Sequence, residues 1–550
     1  MLKVGRWATL GLISLGAAHL LVVACRESRR NGADAAAYTP SLAILAAQPL
    51  DSRPIEPRVT GGFSYSPYRP GLKSAGKPEV RRHIVDEAQN GASPEALGAE
   101  AVALLLDRSP DQALDRLRKA LSASPREPRF FSDLSAAYLV RAELKRSPYD
   151  LVEGLAAADR ALEISPRLAE ARFNQALALT HLGLGPEAEK AWQAYRDLDV
   201  TSAWRDEAET HLQQLRQPRE ADLWKGDRDR LDRAALAGNA EEVGRIVAAY
   251  RQPARLYVED QLLGDWATAR KAGRIDESNR SLTIARKVAD ALGYGMLRRE
   301  VEVLEQGLHL EALIRGHYLY ARARAFHELQ QYPEAEPLFR DAAAAFEQGG
   351  SPFAAWPAYY LAIITHHHQK QREAIGMLED LRRRFAAEDY APLLGYVDWM
   401  IGQARGTQGP IASALPASES ALQQFERAGE VENQAALHSI VAQVYTELGE
   451  NETAWQHHVA ALQVLPRLYK PRRSQNILSA ALHSLQAMGD LGPAFYFQGM
   501  LVDDAAQADN PIGLSIALRD RAAILHKLGR LDAAFSDLDR ARKAAGRIGD

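Results

Sequence analysis

One small residue recurs at a nearly fixed interval through the C-terminal half of the chain. The positions are Ala335, Ala374, Ala414, Ala454, Ala494 and Ala534, separated by one interval of 39 residues and four of 40. Each lies in an amphipathic helical pattern, where a small side chain lets a neighbouring helix approach closely. A period of this length predicts repeated pairs of helices rather than one central core.

A glycine stands five residues before four of these alanines, as Gly409, Gly449, Gly489 and Gly529. The first helix of each pair has to end there, and glycine tolerates the positive φ of a tight helix end. We therefore predict positive φ at all four positions. Pro416 predicts that the second helix of its pair is kinked or begins late, because proline cannot supply the amide hydrogen of a helix interior.

The helical pattern begins near Pro94 and predicts about eleven helix pairs. Register is clear in residues 94–216 and 311–550 and divergent in residues 217–310. Since each pair has an apolar stripe that it cannot bury alone, successive pairs must stack on one another. The predicted fold class is therefore all-α, a right-handed α-α superhelix.

The positions within one period resemble the tetratricopeptide repeat (TPR) family. The clearest unit contains Val441, Ala442, Tyr445, Gly449, Ala454, Ala461 and Pro466. In order, these match the family's large-small pair, first-helix aromatic residue, turn glycine, two packing alanines and terminal proline. The resemblance implies a TPR solenoid, with helices longer than those of the family's usual repeat of about 34 residues.

Residues 1–25 carry the pattern of a targeting segment. Basic residues precede an apolar run from Ala8 to Cys25, which predicts a signal segment or a membrane anchor. The run ends in Val-Val-Ala-Cys, which resembles the lipobox of bacterial lipoproteins and implies lipidation of the Cys25 thiol. The alternative is an uncleaved anchor in which Cys25 is a small apolar residue. Both interpretations place the chain at a membrane of the bacterial cell envelope, with the repeats outside the cytoplasm.

Residues 26–93 are rich in proline, glycine, serine and arginine and lack a sustained helical period. This composition predicts a flexible tether. Within it, Gly61 and Gly62 separate two short segments of strand-like composition. Because a two-residue glycine turn is typical of β-hairpins, we expect a short hairpin at residues 54–68.

Two further segments carry a more specific resemblance. Residues 50–70 contain Arg-Pro-Ile-Glu-Pro-Arg followed by Thr-Gly-Gly-Phe, and residues 170–179 read Glu-Ala-Arg-Phe-Asn-Gln-Ala-Leu-Ala-Leu. Both are similar to the non-catalytic part of bacterial TPR-CHAT proteins, in which repeats precede a caspase-like domain with a His/Cys pair. The resemblance implies an alternative function, the sensing or regulatory arm of a CHAT-type protease whose catalytic domain is missing from this chain. Cys25 is the one cysteine of the sequence, so the His/Cys chemistry transfers to no residue here.

Composition and motifs exclude several classes of function. Lysine and arginine number 67 against 71 aspartate and glutamate, so the chain lacks the basic surplus of a nucleic-acid-binding protein. One cysteine excludes a disulfide framework and a cysteine-based metal site. His366, His367 and His368 are consecutive, and successive helical side chains point about 100° apart, so they cannot ligate one ion together. We predict no enzyme, no metal site and no cofactor.

Repeat arrays bind partners through the exposed side chains of their first helices. The register places seven candidates there: Tyr320, Arg324, His327, His483, Arg519, His526 and Lys527. Such basic and aromatic residues suit an acidic or carboxylate-ended peptide, whereas the alternative for each one is an ordinary solubilising charge. The predicted function is a membrane-tethered scaffold that binds a protein or peptide on its concave face.

Overall fold

The computed structural model describes residues 38–73, 77–91, 93–386 and 390–547. Within these ranges the chain is all-α, as predicted, and contains no β-strand. The α-helices are α1 (Pro40–Ala46), α2 (Pro78–Gly91), α3 (Pro94–Leu106), α4 (Pro110–Ala123), α5 (Pro128–Lys145), α6 (Tyr149–Ile164), α7 (Ala169–His181), α8 (Gly185–Leu198), α9 (Trp204–Leu215), α10 (Glu220–Leu236), α11 (Ala240–Ala249), α12 (Arg251–Leu256), α13 (Leu263–Lys271), α14 (Ile275–Leu292), α15 (Gly295–Gln306), α16 (Leu310–Glu328), α17 (Tyr332–Gln348), α18 (Ala355–His367), α19 (Gln371–Phe385), α20 (Ala391–Gln408), α21 (Leu415–Ala428), α22 (Val431–Glu447), α23 (Asn451–Leu462), α24 (Pro471–Met488), α25 (Leu491–Gln507), α26 (Pro511–Lys527) and α27 (Leu531–Gly546). A π-helical turn, Tyr257–Leu262, joins α12 to α13.

Consecutive helices pack as pairs joined by short turns. Examples are α5 with α6, α16 with α17, α22 with α23, and α26 with α27. All six alanines of the 40-residue ladder lie between helices and are at most 6% exposed. This burial confirms the predicted repeat of helix pairs, which is the arrangement of a TPR-type fold.

Three of the four turn glycines adopt the predicted backbone. The φ angles are 78° at Gly449, 85° at Gly489 and 73° at Gly529. At Gly409 the prediction is wrong, since its φ is −133° and its ψ is −160°. Pro410 follows this glycine, and the proline ring drives the preceding residue to an extended backbone.

Pro416 delays the start of its helix. A 3-10 turn, Ile411–Ala414, comes first, and α21 then begins at Leu415 with the proline in its first turn. Proline is tolerated there because a first-turn amide has no partner within the helix. Of the two predicted outcomes, the helix therefore begins late rather than being kinked.

The described residues form two compact units. Unit 1 comprises the residues up to Gln217 together with those from Ala481 onward, and unit 2 comprises Pro218–Ala480. In unit 1, α25 packs on α6 and α8. The Tyr496 hydroxyl donates to the Asp159 carboxylate over 2.7 Å at this contact. Unit 1 is thus built from two separate stretches of the sequence.

Unit 2 has a continuous apolar core. Its fully buried side chains include Trp266, Phe339, Phe346 and Phe353. The same core contains residues of α10–α15 and of the regular pairs that begin at α16. The divergent helices and the regular pairs therefore share one folded body in unit 2.

The hairpin expected at residues 54–68 does not form. The one bridge in this region is an isolated parallel contact between Arg53 and Tyr68. Three prolines, Pro54, Pro57 and Pro67, supply no amide hydrogen for a strand ladder. A paired strand is therefore disfavoured, and side chains from the helices instead bind the backbone at Pro54, Arg58 and Thr60.

Residues 50–69, which we name the strap, lie against the helices of unit 1. Ile55 and Val59 of the strap are 1% and 6% exposed and belong to the apolar core of that unit. This part of the predicted tether is therefore packed on the repeats.

The predicted anchor at residues 1–25, with Cys25, lies outside the described residues. In the ranges that the structure does describe, no helix is both long and apolar enough to cross a membrane. Lipidation of Cys25 stays a prediction.

Candidate protein-interaction surfaces

Tyr320, which the sequence placed on the partner-binding surface, is buried. Its side chain is 3% exposed, with ring centroids 6.1 Å from Phe339 and 6.3 Å from Phe346. The assignment of Tyr320 to an exposed surface is therefore wrong. On α16 this residue faces the apolar core of unit 2, where its ring contributes packing.

Arg324 and His327 follow Tyr320 on α16. Arg324 forms ion pairs with Asp260 of the π-helical turn and with Glu328, the latter at 3.1 Å. Burial, together with the charges of Arg324 and His367, lowers the pKa of His327 to about 4. His327 is thus neutral near pH 7, and the basic character of the pair comes from Arg324.

The other four predicted residues belong to unit 1. His483 lies on α24, whereas Arg519, His526 and Lys527 lie on α26. All four are exposed. Arg519 hydrogen-bonds the adjacent Asp520 over 2.8 Å. Their part in binding a partner stays a prediction.

Four aromatic side chains from two successive first helices of unit 2 form a contiguous group, which we name the aromatic row. Its members are Tyr359 and Tyr360 of α18 and Tyr396 and Trp399 of α20. Ring centroids are 5.5 Å apart between Tyr359 and Tyr360 and 5.8 Å apart between Tyr359 and Tyr396. Tyr360, Tyr396 and Trp399 are half-buried, so each keeps an accessible face.

Arginine side chains lie at both ends of the aromatic row. The Arg324 guanidinium of α16 is 5.8 Å from the ring centroid of Tyr360. The Arg473 guanidinium of α24 is 5.2 Å from the Trp399 ring and donates to Asn433 of α22 over 3.2 Å. The row and its flanking cations therefore draw side chains from four first helices, α16, α18, α20 and α24.

Lys470 adds a third cation at the start of α24. Partial burial lowers its pKa, and the positive charges of Arg324 and Arg473 lower it further. Like charges so arranged repel one another, and an incoming anion relieves that repulsion. Glu432 and Glu328 shift the pKa of Lys470 in the opposite direction.

The 40-residue period is visible in the row. Tyr360 stands 40 positions after Tyr320, and Trp399 stands 40 positions after Tyr359. The sequence carries this signal, but the register assigned Tyr320, which is buried, to the surface in place of Tyr360. The spacing identifies equivalent positions, while burial decides which of them a partner can reach.

Asp133 of α5 binds the strap in unit 1 at Thr60. Its carboxylate accepts hydrogen bonds from the Thr60 amide at 2.8 Å, the Thr60 hydroxyl at 2.6 Å and the Tyr38 hydroxyl at 2.7 Å. Burial raises the pKa of Asp133 to about 7, and these hydrogen bonds act in the opposite direction. The Asp133 carboxylate is therefore the shared acceptor of three buried donors.

Asn174 of α7 binds the strap backbone as a neighbouring β-strand would. Its Oδ1 accepts from the Arg58 amide and its Nδ2 donates to the Arg58 carbonyl, both at 2.8 Å. Asp133 and Asn174 are each the sixth residue of their helices. Two successive first helices therefore use the same position to hold one extended segment.

Two strap arginines enclose Trp204 of α9. Their guanidinium carbons lie 4.6 Å and 4.9 Å from the ring centroid, for Arg53 and Arg58 respectively. Arg53 also pairs with Glu207, and Arg58 lies 3.5 Å from Asp199. Stacking and ion pairing together fix both side chains.

A buried ionic cluster in unit 2 has no counterpart in the sequence analysis. The fully buried Arg255 of α12 donates to Glu430 over 2.5 and 2.9 Å and to Glu259 over 2.5 Å. Tyr390 also donates to Glu259, and Asn433 donates to Glu430 over 2.5 Å. This cluster joins the divergent helices to the turn before α22.

The three consecutive histidines do not form a metal site. His366 and His367 end α18 and His368 follows it. Within the described residues no cluster of three or more histidine, cysteine or acidic side chains is arranged to bind a metal ion. His367 instead stacks on Tyr332 with ring centroids 4.7 Å apart.

Comparison with known proteins assigns no family. No protein-family model matches the chain, and no curated protein matches its sequence. Aspartyl phosphate phosphatase F from Bacillus subtilis is 13% identical, with coverage of 70% of this chain and 95% of that chain and a TM-score of 0.31. A Rap protein complexed with competence and sporulation factor is 12% identical, with coverage of 69% and 98% and a TM-score of 0.32. We take no functional argument from similarities this low.

Proposed function

We propose that this protein is a non-catalytic scaffold that binds an acidic segment of a partner protein along the aromatic row of unit 2. The observation that carries the proposal is the row itself, half-buried aromatic rings flanked by Arg324 and Arg473 with Lys470 beside them. Aromatic and arginine side chains supply much of the binding energy at protein interfaces. A partner carboxylate would accept charge-assisted hydrogen bonds from Arg473 or Lys470 beside the row.

The strap in unit 1 supports the same mode of binding. There the first helices α5 and α7 hold an extended segment through Asp133 and Asn174. An extended segment has backbone amide and carbonyl groups that are not paired within the segment. Side chains on successive first helices can therefore form hydrogen bonds with them. The first helices of unit 2 offer a comparable face to a segment from another chain.

We expect Arg473→Glu to reduce the recovery of partner proteins about tenfold, because it places a negative charge where the partner's carboxylate binds. The measurement is quantitative mass spectrometry of proteins that co-purify with the tagged full chain from its native cell. Arg340→Glu on α17 is the matched control, since Arg340 is 69% exposed in its side chain and pairs with Glu336 one turn away. Equal recovery of every partner by wild type and Arg473→Glu would contradict the proposal.

Attachment to a membrane of the bacterial cell envelope through Cys25 is part of the same proposal. The support is the lipobox-like end of the apolar run at residues 22–25. We expect radioactive palmitate to label the wild-type chain and not a Cys25→Ala variant. Absence of label on the wild type, or equal label on both, would rule out the lipid anchor.

A second candidate function is the regulatory arm of a CHAT-type protease. It is favoured by one contact, since the two segments that resemble TPR-CHAT proteins meet where Arg58 of the strap binds Asn174. A coding sequence that continues past Asp550 into a domain with a histidine and a cysteine would support this function. A stop codon at that point would contradict it.

A further inference from the structure

Helix α27 of unit 1 leaves an apolar stripe exposed, which we name the end face. Its residues Leu531, Phe535 and Leu538 are 49%, 69% and 45% exposed. Spacings of four and three residues place them on one side of the helix. The stripe is therefore a continuous surface and not a set of scattered leucines.

The equivalent face is covered one repeat earlier. Phe495 and Gln498 of α25 stand 40 residues before the second and third members of the end face. The Gln498 side chain is 3% exposed and donates to the Ala517 carbonyl of α26 over 2.9 Å. Phe495 packs against Ala522 and Leu525 of that helix. This is the face by which α25 receives the first helix of the next pair.

Two repeats earlier the same positions are buried again. Trp455 and His458 of α23 stand 80 residues before Phe535 and Leu538, and both are 0% exposed. Three second helices thus carry large side chains at equivalent positions. Among the described residues, α27 differs because no further helix lies on it.

We infer that the end face binds an amphipathic helix of a partner chain, seated as α26 sits on α25. The contact residues of α26, Ala517, Ala522 and Leu525, define the chemistry of the occupant. Small residues let two helices approach, and a leucine beside them fills the groove. The partner helix therefore presents two alanines and a leucine at the spacings of Ala517, Ala522 and Leu525, which are five and three residues. This inference concerns unit 1 and does not depend on the aromatic row of unit 2.

A fluorescein-labelled peptide with the sequence of residues 510–528, which contains α26, is the probe. We expect saturable binding to the full chain by fluorescence anisotropy, with an affinity at least about tenfold lower for Phe535→Asp/Leu538→Asp, because a carboxylate under an apolar helix loses its hydration. The matched control is Leu329→Asp in unit 2, where the leucine is 69% exposed and lies on a different surface.

Failure of the peptide to bind the wild-type chain would overturn the inference, as would undiminished binding to the double variant. Sedimentation equilibrium of the chain alone tests whether a second copy of the chain occupies the end face instead. A wild-type dimer that becomes a monomer in Phe535→Asp/Leu538→Asp would assign the end face to a second copy and also overturn the inference. A monomeric wild-type chain that binds the peptide through Phe535 and Leu538 supports it.

Discussion

An Arg255→Met variant is expected to lose about 3 to 5 kcal/mol of the unfolding free energy of unit 2. Arg255 is 0% exposed and lies between Glu259 and Glu430, which are 4% and 0% exposed. Without the guanidinium, two buried carboxylates lose the cation that lies between them. The measurement is urea denaturation followed by circular dichroism, where the transition midpoint should fall.

The size of this loss should depend on pH. Burial raises the pKa of Glu259 to about 7 even though Arg255 opposes the rise. The folded chain therefore holds more protons at Glu259 than the unfolded chain does between about pH 4 and pH 7, and the contribution of this group to stability falls as pH rises. In Arg255→Met the remaining carboxylates repel only when both are charged. The variant should thus be less destabilised at pH 5 than at pH 8.

Two controls separate charge burial from general damage. Arg340→Met removes one partner of an exposed pair with Glu336 and should change stability by less than about 0.5 kcal/mol. Arg255→Met/Glu259→Gln/Glu430→Gln removes the uncompensated charges and should recover part of the loss. An unchanged midpoint in Arg255→Met would show that the cluster does not stabilise unit 2.

The repeat was predictable from the sequence because it depends on local spacing. Ala454 and Ala494 are buried for the same steric reason in each pair, and Gly449 and Gly489 end their first helices with positive φ. These effects act within one helix pair and recur every 40 residues. Only Gly409 departs from the series, and it is followed by proline.

The polar partners of the strap were not predictable because they are distant in sequence. Thr60 binds Asp133, 73 residues away, and Arg53 pairs with Glu207, 154 residues away. No local spacing signals such contacts, and the composition of the segment is that of a tether. The double glycine at positions 61 and 62 indicated a turn, but the strands that would flank it have other partners.

The aromatic row was predictable only in part. The register identified Arg324 and the Tyr320 position on α16, but it gave no measure of how deeply a first-helix residue is buried. Tyr320 packs on Phe339 and Phe346 inside unit 2, whereas Tyr360 in the next pair keeps an exposed edge. Lys470 and Arg473 were missed although α24 begins at Pro471, 40 residues after α22 begins at Val431. The register alone does not distinguish them from ordinary solubilising charges.

Asp133→Ala is expected to release the strap from unit 1. The substitution leaves the Thr60 amide, the Thr60 hydroxyl and the Tyr38 hydroxyl without their acceptor, at a cost of about 3 kcal/mol. A local change of this size raises the population of the open strap about a hundredfold. The readout is tryptic cleavage at Arg58–Val59, followed by mass spectrometry, because Arg58 is shielded by Trp204 and Asn174 in the closed state.

Asp115→Ala in α4 is the matched control for this experiment. Asp115 is 51% exposed in its side chain and pairs with Lys119 on the surface of the same unit, so its loss should leave cleavage at Arg58–Val59 unchanged. Cleavage that rises in Asp133→Ala while the helices of unit 1 keep their circular dichroism indicates local release of the strap. If wild type and Asp133→Ala are cut at the same rate, Asp133 does not hold the strap. The binding mode attributed to the first helices would then lose its support within this chain.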